Sequence, residues 1–324
     1  MHHHDFVLFC GTANPALGRS VANGLGVRLG RSQVERFPDG EVSVRLEESV
    51  RRKEVFILQP TAPPVDQNLI ELLCFADAAR RAAAERVTAV IPYFGYARAD
   101  RRNERREPIT ARMIGDVLQA AGIDHIVTID LHTPQIEGFF RIPVDSLTAM
   151  PVLAEAVRRR LRAHAVVAAP DAGRANLAAR YAERLGLPLV VVHKQRETSS
   201  HTRVTRIVGD VEGRQCLIID DMISTGGTLA ATIDALLDAG AAPELYIAAT
   251  HALLLPGARK LLERDTIADF VVTDTVAPRG DTRDWRGLRV VSVAPLIAAA
   301  LQQFVLDGSV RALERRPGFA HVPE

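Results

Sequence analysis

Residues 217–228 read LIIDDMISTGGT, and this stretch decides the fold class. The apolar run at 216–219 predicts a strand that is covered on both faces, because such strands are continuously hydrophobic. Asp220 and Asp221 follow this strand, a turn rich in Ser, Thr and Gly comes next, and a helix is predicted from Leu229 onwards. The order of strand, acidic turn and helix is typical of α/β proteins.

The same stretch predicts a binding site for a sugar phosphate. The unpaired backbone N–H groups at the start of a helix attract phosphate, and glycines let the backbone wrap an anion without a Cβ clash. Asp220 and Asp221 can accept hydrogen bonds from neighbouring sugar hydroxyls, and such a pair is costly to bury without partners. A Ser- and Gly-rich helix cap after an acidic turn is the alternative interpretation. The residues predicted to lie at this helix start are Thr225, Gly226, Gly227 and Thr228.

The rest of the chain alternates short apolar strands with amphipathic helices. Strands are predicted at 6–10, 55–58, 87–91, 126–129, 166–169, 189–192, 216–219, 245–249, 270–272 and 290–293. Helices are predicted at 15–25, 67–84, 109–121, 151–162, 177–185, 229–239 and from Pro295 onwards. This alternation indicates mostly parallel sheets with helices on both faces. A polar turn after Pro143 predicts a division into residues 1–147 and 148–294, followed by a C-terminal helix and tail at 295–324.

Composition excludes several classes of protein. The 324 residues carry a net charge of +1, so no basic field predicts a nucleic-acid partner. No run of about 18 apolar residues predicts a membrane helix, and no signal-peptide pattern is present, so we expect a cytoplasmic protein with no membrane partner. Cys10, Cys74 and Cys216 are too far apart in sequence for a disulfide framework or a zinc knuckle, which also fits a reducing cytoplasm.

Residues 217–228 resemble the phosphoribosyl diphosphate loop of type I phosphoribosyltransferases and of ribose-phosphate pyrophosphokinases. Five further segments resemble the pyrophosphokinases alone: FPDGE at 37–41, PYFGYAR at 92–98, DLH at 130–132, PDAG at 170–173 and HKQR at 193–196. The chain is therefore identified as a member of the pyrophosphokinase family. The resemblance implies an α/β fold with two similar phosphoribosyltransferase-type domains, each a mostly parallel sheet flanked by helices.

The resemblance also implies an activity. Such an enzyme transfers the pyrophosphoryl group of ATP to the 1-hydroxyl of ribose 5-phosphate, giving 5-phosphoribosyl 1-diphosphate and AMP for nucleotide, histidine and tryptophan synthesis. It implies Mg²⁺ as cofactor and a homo-oligomer that is at least a dimer, with a hexamer left open. Two alternatives stay open: a phosphoribosyltransferase, which consumes the diphosphate, and a catalytically silent regulatory homologue.

Individual residues take roles from this resemblance. Lys194 and Arg196 are implied to stabilise the transition state, from a polar segment at 194–203 that is predicted to be a mobile loop or lid. Asp171 and His132 are implied as metal ligands, although Mg²⁺ prefers oxygen donors and His132 has only the resemblance behind it. Asp220, Asp221 and residues 224–228 are implied to bind ribose 5-phosphate. The ATP contacts, of which the first three reach a neighbouring subunit, are Phe37, Asp39, Glu41, Arg98, Asp100 and His132.

Three residues depart from the family pattern. Ala99 stands where the family often has Gln, which puts the nucleotide contacts and the preferred donor in question. Arg174 replaces the second glycine of the family's Pro-Asp-Ala-Gly-Gly stretch, and a bulky cation there would either clash with the ribose or contact a phosphate. Ser224 replaces a frequent Asp, which is a mild change because some members also have Ser-Thr-Gly-Gly-Thr.

Overall fold

The computed structural model describes residues 5–102, 104–196, 202–278, 282, 284–306, 308–310 and 313, with only the backbone at 194–196 and 202–205. The chain divides into two compact units. The first contains the described residues within Met1–Thr148, Thr275–Ala277 and Ser292–Pro317. The second contains those within Ala149–Asp274, Pro278–Val291 and Gly318–Glu324.

Most strands and helices alternate along the chain as the apolar pattern predicted, but the strands at 32–36, 42–46, 144–147 and 202–208 and the helix at 258–262 were not predicted. The elements up to residue 148 are β1 (Phe6–Cys10), α1 (Pro15–Leu25), β2 (Ser32–Arg36), β3 (Val42–Leu46), β4 (Glu54–Leu58), α2 (Val65–Arg81), β5 (Arg86–Ile91), α3 (Thr110–Ala120), β6 (His125–Ile129), a 3-10 helix (Pro134–Phe139) and β7 (Val144–Leu147). The remaining elements are α4 (Met150–Arg158), β8 (Val166–Ala169), a 3-10 helix (Ala172–Arg174), α5 (Ala175–Leu185), β9 (Leu189–Arg196), β10 (Thr202–Val208), β11 (Cys216–Ile223), α6 (Gly227–Asp238), β12 (Leu245–Ala252), α7 (Ala258–Leu262), β13 (Ile267–Thr273), β14 (Leu288–Val291) and α8 (Ala294–Val305).

The sheet of the first unit is parallel throughout and has the strand order β1-β4-β5-β6-β7. Its strands are rich in Val, Ile and Phe, and their side chains pack with those of α2 and α3 in one core that includes Phe9, Leu72 and Ile114. Because all five strands run in the same direction, their carboxyl ends meet at one edge of the sheet. Ligands of open α/β sheets bind at this edge.

The sheet of the second unit has seven strands in the order β10-β9-β8-β11-β12-β13-β14. All neighbours are parallel except β9 and β10, which form an antiparallel pair. Strand β11 lies in the middle of this sheet, and every residue of it is buried. The carboxyl end of β11 is therefore surrounded by other strand ends, which is where its two aspartates lie.

Helix α8 belongs to the first unit, although the chain reaches it only after the second unit. It packs against α1, where a Cβ on Gly24 would lie 3.0 Å from the Cβ of Ala298. On the first unit's sheet, the ring of Phe304 meets the ring of His125 edge to face, with 4.9 Å between the ring centroids. The segment expected as a separate C-terminal helix and tail thus supplies one of the helices that cover the first unit.

Two local predictions need correction. Strand β11 continues to Ile223, so Asp220 and Asp221 lie inside the strand and not in the turn after it. The polar segment at 194–203 was predicted to be a mobile loop or lid, but residues 194–196 extend β9 and 202–203 begin β10, where antiparallel pairing satisfies the backbone. Residues 197–201 of this segment lie outside the described residues. Within the described residues, no helix combines the length and the apolar content that crossing a membrane requires.

The edge of the second sheet contains a buried ion pair whose loss should be costly. Arg289 on β14 donates from Nε and Nη2 to the two oxygens of Asp269 on β13, at 2.8 and 2.7 Å. The Asp269 side chain is 2% exposed, so Arg289→Met would leave a buried carboxylate with only Arg160, 3.6 Å away, as a partial partner. We expect the free energy of unfolding to fall by about 3 kcal/mol in urea titrations.

Arg286→Met is the matched control for this prediction. Its ion pair with Asp265 joins side chains that are 85% and 94% exposed, so water screens it. We expect a loss below about 1 kcal/mol for this variant. Equal losses for the two variants would show that burial of Asp269 does not decide the stability of the sheet edge.

Candidate functional site

Asp220 and Asp221 lie next to each other near the carboxyl end of β11, and both are buried. The backbone N–H of Asp221 donates to Oδ1 of Asp220 at 2.9 Å, which turns the Asp220 carboxylate towards its neighbour in the chain. The sequence therefore brings two acidic groups into the interior of the second unit. Such a pair requires partners, because each group loses its hydration.

Arg174 supplies a partner for both carboxylates. Its Nε lies 3.6 Å from Oδ1 of Asp220 and 3.3 Å from Oδ1 of Asp221. The cation that replaces the expected glycine thus neither clashes with the aspartates nor points away from them. It forms an ion pair with the two residues that were predicted to receive the sugar hydroxyls.

The pKa of Asp220 is raised well above its ordinary value. Burial of the carboxyl group is the main cause, and the neighbouring charge of Asp221 and a hydrogen bond with its side chain add to it. The positive charge of Arg174 acts in the opposite direction and favours the ionised form. Burial and the neighbouring Asp221 side chain therefore favour the protonated form of Asp220, while Arg174 and the backbone N–H of Asp221 favour its ionised form.

The segment 224–228 connects β11 to the start of α6, as the sequence predicted. The carbonyl oxygen of Ser224 accepts the N–H of Leu255 at 2.9 Å, and that of Thr228 accepts the hydroxyl of Thr232 at 2.8 Å. Gly226 caps α6 with a φ of 82°, a left-handed conformation that favours glycine, and a Cβ there would lie 2.9 Å from Cδ1 of Leu262. Thr225, Gly227 and Thr228 are exposed, so the start of α6 is open to an anion.

Asp171 follows β8, the strand next to β11, and begins a short 3-10 helix. Its Oδ1 accepts the backbone N–H of Arg174 at 3.1 Å, and the residue is partly exposed. Mg²⁺ commonly uses one or two carboxylates together with substrate phosphates and water, so an accessible carboxylate at a strand end fits this ion. Among the described residues, no group of three or more His, Cys, Asp or Glu side chains is arranged to hold a metal.

Lys194 and Arg196 lie on the last residues of β9, where their backbone pairs with β10. Their side chains lie outside the described residues. The backbone nevertheless joins them to the sheet that carries Asp171 and the aspartate pair, because β9 neighbours β8 in the strand order.

Phe37, Asp39 and Glu41 lie in the turn that connects β2 and β3. The N–H of Phe37 donates to the carbonyl of Glu41 at 2.8 Å, and the N–H of Glu41 donates to Oδ1 of Asp39 at 3.0 Å. Phe37 is 43% exposed, which is unusual for a phenylalanine. An exposed aromatic ring at the tip of an ordered hairpin is suited to stacking on a flat ligand.

The hairpin is fixed to its unit by a network of buried polar residues that the sequence did not reveal. The side chain of Glu71 on α2 is fully buried and accepts a hydrogen bond at 2.8 Å from Nη2 of Arg36, the residue that precedes Phe37. It also accepts the N–H and the hydroxyl of Thr12, both at 2.6 Å, and Nε2 of Gln59 at 3.1 Å. The network joins the ends of β1, β2 and β4 to α2. A lone Glu inside an amphipathic helix gives no sequence signal for such a role.

Arg98, Asp100 and His132 follow β5 and β6, two neighbouring strands of the first sheet. Arg98 is exposed, and Oδ2 of Asp100 accepts the hydroxyl of Thr133 at 2.6 Å, so the segments after the two strands are directly connected. Asp130, two residues before His132, has a φ of 41°, which is rare for a residue other than glycine and is often found at functional sites. The three predicted ATP residues thus lie at one edge of the first sheet.

The cysteines are unsuited to nucleophilic catalysis. Burial raises the pKa of Cys10 and of Cys216 to about 12, so both thiols are protonated at neutral pH. Burial also raises the pKa of Cys74. All three are free thiols, and the candidate site consists of acidic, basic and hydroxyl groups.

Comparison with known proteins identifies the family. Residues 6–122 match the family model described as the N-terminal domain of ribose phosphate pyrophosphokinase, and residues 151–278 match the phosphoribosyl transferase domain. A ribose-phosphate pyrophosphokinase of Caldanaerobacter subterraneus is 44% identical over 91% of this chain and 93% of its own length. One of Ralstonia nicotianae is 41% identical over 97% of this chain and 99% of its own. The chain belongs to the ribose-phosphate pyrophosphokinase family.

A solved structure supports this membership across both units. The crystal structure of phosphoribosylpyrophosphate synthetase from Mycobacterium smegmatis has a TM-score of 0.88 and 39% identity, and the match covers 94% of this chain and all of the other. The predicted α/β class, with two domains of the phosphoribosyltransferase type, is confirmed by the two family models and by this match.

The left-handed conformation at Gly226 leads to a test of the phosphate loop. We expect Gly226→Ala to raise the KM for ribose 5-phosphate about tenfold, because a side chain in this conformation costs about 1–2 kcal/mol and Leu262 leaves it little room. Gly213→Ala is the control, since Gly213 has a φ of 64° and a Cβ there meets no atom within 4 Å. An equal rise of the KM in both variants would show that Gly226 has no specific role in binding the phosphate.

Proposed function

We propose that this protein is an active ribose-phosphate pyrophosphokinase, which converts ATP and ribose 5-phosphate into 5-phosphoribosyl 1-diphosphate and AMP. The observation that carries the proposal is the pair of buried carboxylates, Asp220 and Asp221, directly before an open helix start at 224–228. Two adjacent acceptors beside an anion site match a sugar that has neighbouring hydroxyls and a phosphate. The reaction itself is inferred from the homologues, which are ribose-phosphate pyrophosphokinases.

The second unit binds the sugar phosphate in this proposal. The 5-phosphate accepts hydrogen bonds from backbone N–H groups and hydroxyls of residues 224–228, where the dipole of α6 also favours a negative charge. The 2- and 3-hydroxyls donate to Asp220 and Asp221. These contacts leave the 1-hydroxyl as the group that reacts.

The first unit binds ATP. Arg98 and His132 contact the triphosphate, and Asp100 orients the segment after β5 through its hydrogen bond with Thr133. Phe37 stacks on the adenine of the ATP that a neighbouring subunit binds, and Asp39 and Glu41 accept hydrogen bonds from the exocyclic amine of that adenine. The hairpin serves a neighbouring subunit, so the active form is a homo-oligomer with at least two subunits.

Mg²⁺ is the proposed cofactor, and Asp171 of the second unit and His132 of the first are each proposed as a ligand that would act together with substrate oxygens. When bound, it neutralises phosphate charge and makes a coordinated hydroxyl more acidic. Asp171 is the better supported of the two ligands, because its carboxylate is accessible and Mg²⁺ prefers oxygen donors.

The chemical step is a displacement at the β-phosphorus of ATP. The oxygen of the 1-hydroxyl forms a bond to this phosphorus, the bond from the phosphorus to the oxygen shared with the α-phosphate breaks, and AMP leaves with that oxygen. The hydroxyl proton passes to water. Lys194 and Arg196 contact the oxygens of the transferring group, where negative charge develops, because such transfers depend on positioning and electrostatic stabilisation.

The direct test is the formation of AMP from ATP, Mg²⁺ and ribose 5-phosphate, with controls that each lack one component. AMP that depends on the sugar phosphate is the expected result. Folded protein that forms no AMP at any Mg²⁺ or phosphate concentration would contradict the proposal and favour a silent regulatory homologue. Consumption of 5-phosphoribosyl 1-diphosphate with a nucleobase, without a need for ATP, would instead identify a phosphoribosyltransferase.

The role of Lys194 leads to a separate prediction. We expect Lys194→Ala to lower kcat about 10³-fold, by analogy with other cations that stabilise a transferring phosphoryl group. Lys260→Ala on α7 is the control, because Lys260 is exposed and should leave kcat unchanged. If kcat for Lys194→Ala lies within threefold of the control, a difference of about 0.7 kcal/mol in activation free energy, Lys194 does not stabilise the transition state.

A further inference from the structure

The Arg174 side chain lies against both aspartates of β11, a position that could not be predicted from its replacement of a glycine. Its Nε approaches Oδ1 of Asp220 and Oδ1 of Asp221 together, at 3.6 and 3.3 Å. The Arg174 side chain is 15% exposed, and the two carboxylates are 11% and 5% exposed. Little water screens these charges, so the attraction is stronger than that of a surface ion pair.

The start of α5 holds Arg174 in place. Its backbone N–H donates to Oδ1 of Asp171 at 3.1 Å and lies 3.2 Å from the carbonyl oxygen of the same residue. Ala175 then begins the eleven-residue helix α5. The guanidinium therefore extends from an anchored backbone and not from a long loop, so it can fix the groups that it contacts.

A sugar with two neighbouring hydroxyls requires two acceptors at a fixed separation. Two adjacent carboxylates repel each other when both are ionised, so a neighbouring cation is needed to keep them together as a pair of acceptors. A single guanidinium nitrogen between one oxygen of each group draws them together. The contact seen here therefore matches the arrangement that a vicinal diol needs.

We propose that Arg174 is a positioning residue that holds Asp220 and Asp221 side by side as acceptors for the 2- and 3-hydroxyls of one sugar phosphate. This inference rests on the proposed function, because it concerns the same substrate. Arg174 thereby sets the preference for ribose 5-phosphate over 2-deoxyribose 5-phosphate, which offers the pair only one hydroxyl. It acts through the aspartates and does not contact the reacting atoms.

Steady-state kinetics of Arg174→Gln and Arg174→Lys test this role. For Arg174→Gln we expect the KM for ribose 5-phosphate to rise about tenfold to hundredfold, the effect of losing one hydrogen bond to a charged group. We expect kcat to change less than about threefold and the KM for ATP to stay the same, because sugar binding is lost equally before and in the transition state. Arg174→Lys keeps the charge and should restore most of the affinity for the sugar.

The comparison of two sugars gives the decisive measurement. The ratio of the inhibition constant of 2-deoxyribose 5-phosphate to the KM of ribose 5-phosphate should fall about tenfold in Arg174→Gln, since the second hydroxyl no longer finds a placed acceptor. Arg180→Gln is the matched control, because Arg180 lies on α5, the helix that begins directly after Arg174, and is exposed. Its ratio should equal that of the unaltered protein.

Several outcomes would overturn the inference. An unchanged ratio in Arg174→Gln, or tighter binding of ribose 5-phosphate by this variant, would show that Arg174 does not position the pair or competes with the sugar. If Arg174→Gln unfolds at assay temperature, Arg174→Lys decides, and a folded lysine variant without recovered sugar preference counts against the proposal. Failure of the unaltered protein to form AMP would contradict the proposed function, a different result.

Discussion

Burying two neighbouring carboxylates is the constraint on which the second unit depends. Asp220 and Asp221 lie inside the central strand of a seven-stranded sheet, where they are largely removed from water. The sequence answers this constraint in two ways. The chain reaches an open helix start soon after the pair, and Arg174, in the 3-10 helix that follows the neighbouring strand β8, places a cation against both groups. Asp220 and Asp221 would therefore destabilise the end of the strand if they had no partners, and the same two residues make it a binding site.

The first unit uses the same principle with different residues. Glu71 is fully buried on α2, and Arg36 pairs with it at 2.8 Å while Thr12 and Gln59 donate to its oxygens. In each unit, an acid is buried near the strand ends and an arginine from an adjoining segment neutralises it. A buried pair of this kind adds little net stability, but removing one partner is costly, so it fixes the segments that carry it. In the first unit the fixed segment is the hairpin with the exposed ring of Phe37.

Most of the fold followed from the sequence, because buried parallel strands and amphipathic helices have strong periodic patterns. Strand β1 and helix α1 have the predicted bounds, and most others differ by only a few residues at their ends. The strand character of 194–196 and the Glu71 network could not be predicted, since both depend on partners that are distant in the chain. The loop at 224–228 was predicted because all its parts are local. The pairing of Arg174 with the aspartates was not, because sequence shows a departure from a pattern but not the direction of a side chain.

Helix α8 has a consequence for how the protein is made. It packs on α1 in the first unit, yet the whole second unit precedes it in the chain. During synthesis, the surface of α1 that receives α8 stays uncovered until residues 294–305 leave the ribosome. The first unit is therefore completed last, although most of it is translated first. Its folding depends on a helix that is synthesised only after the whole second unit.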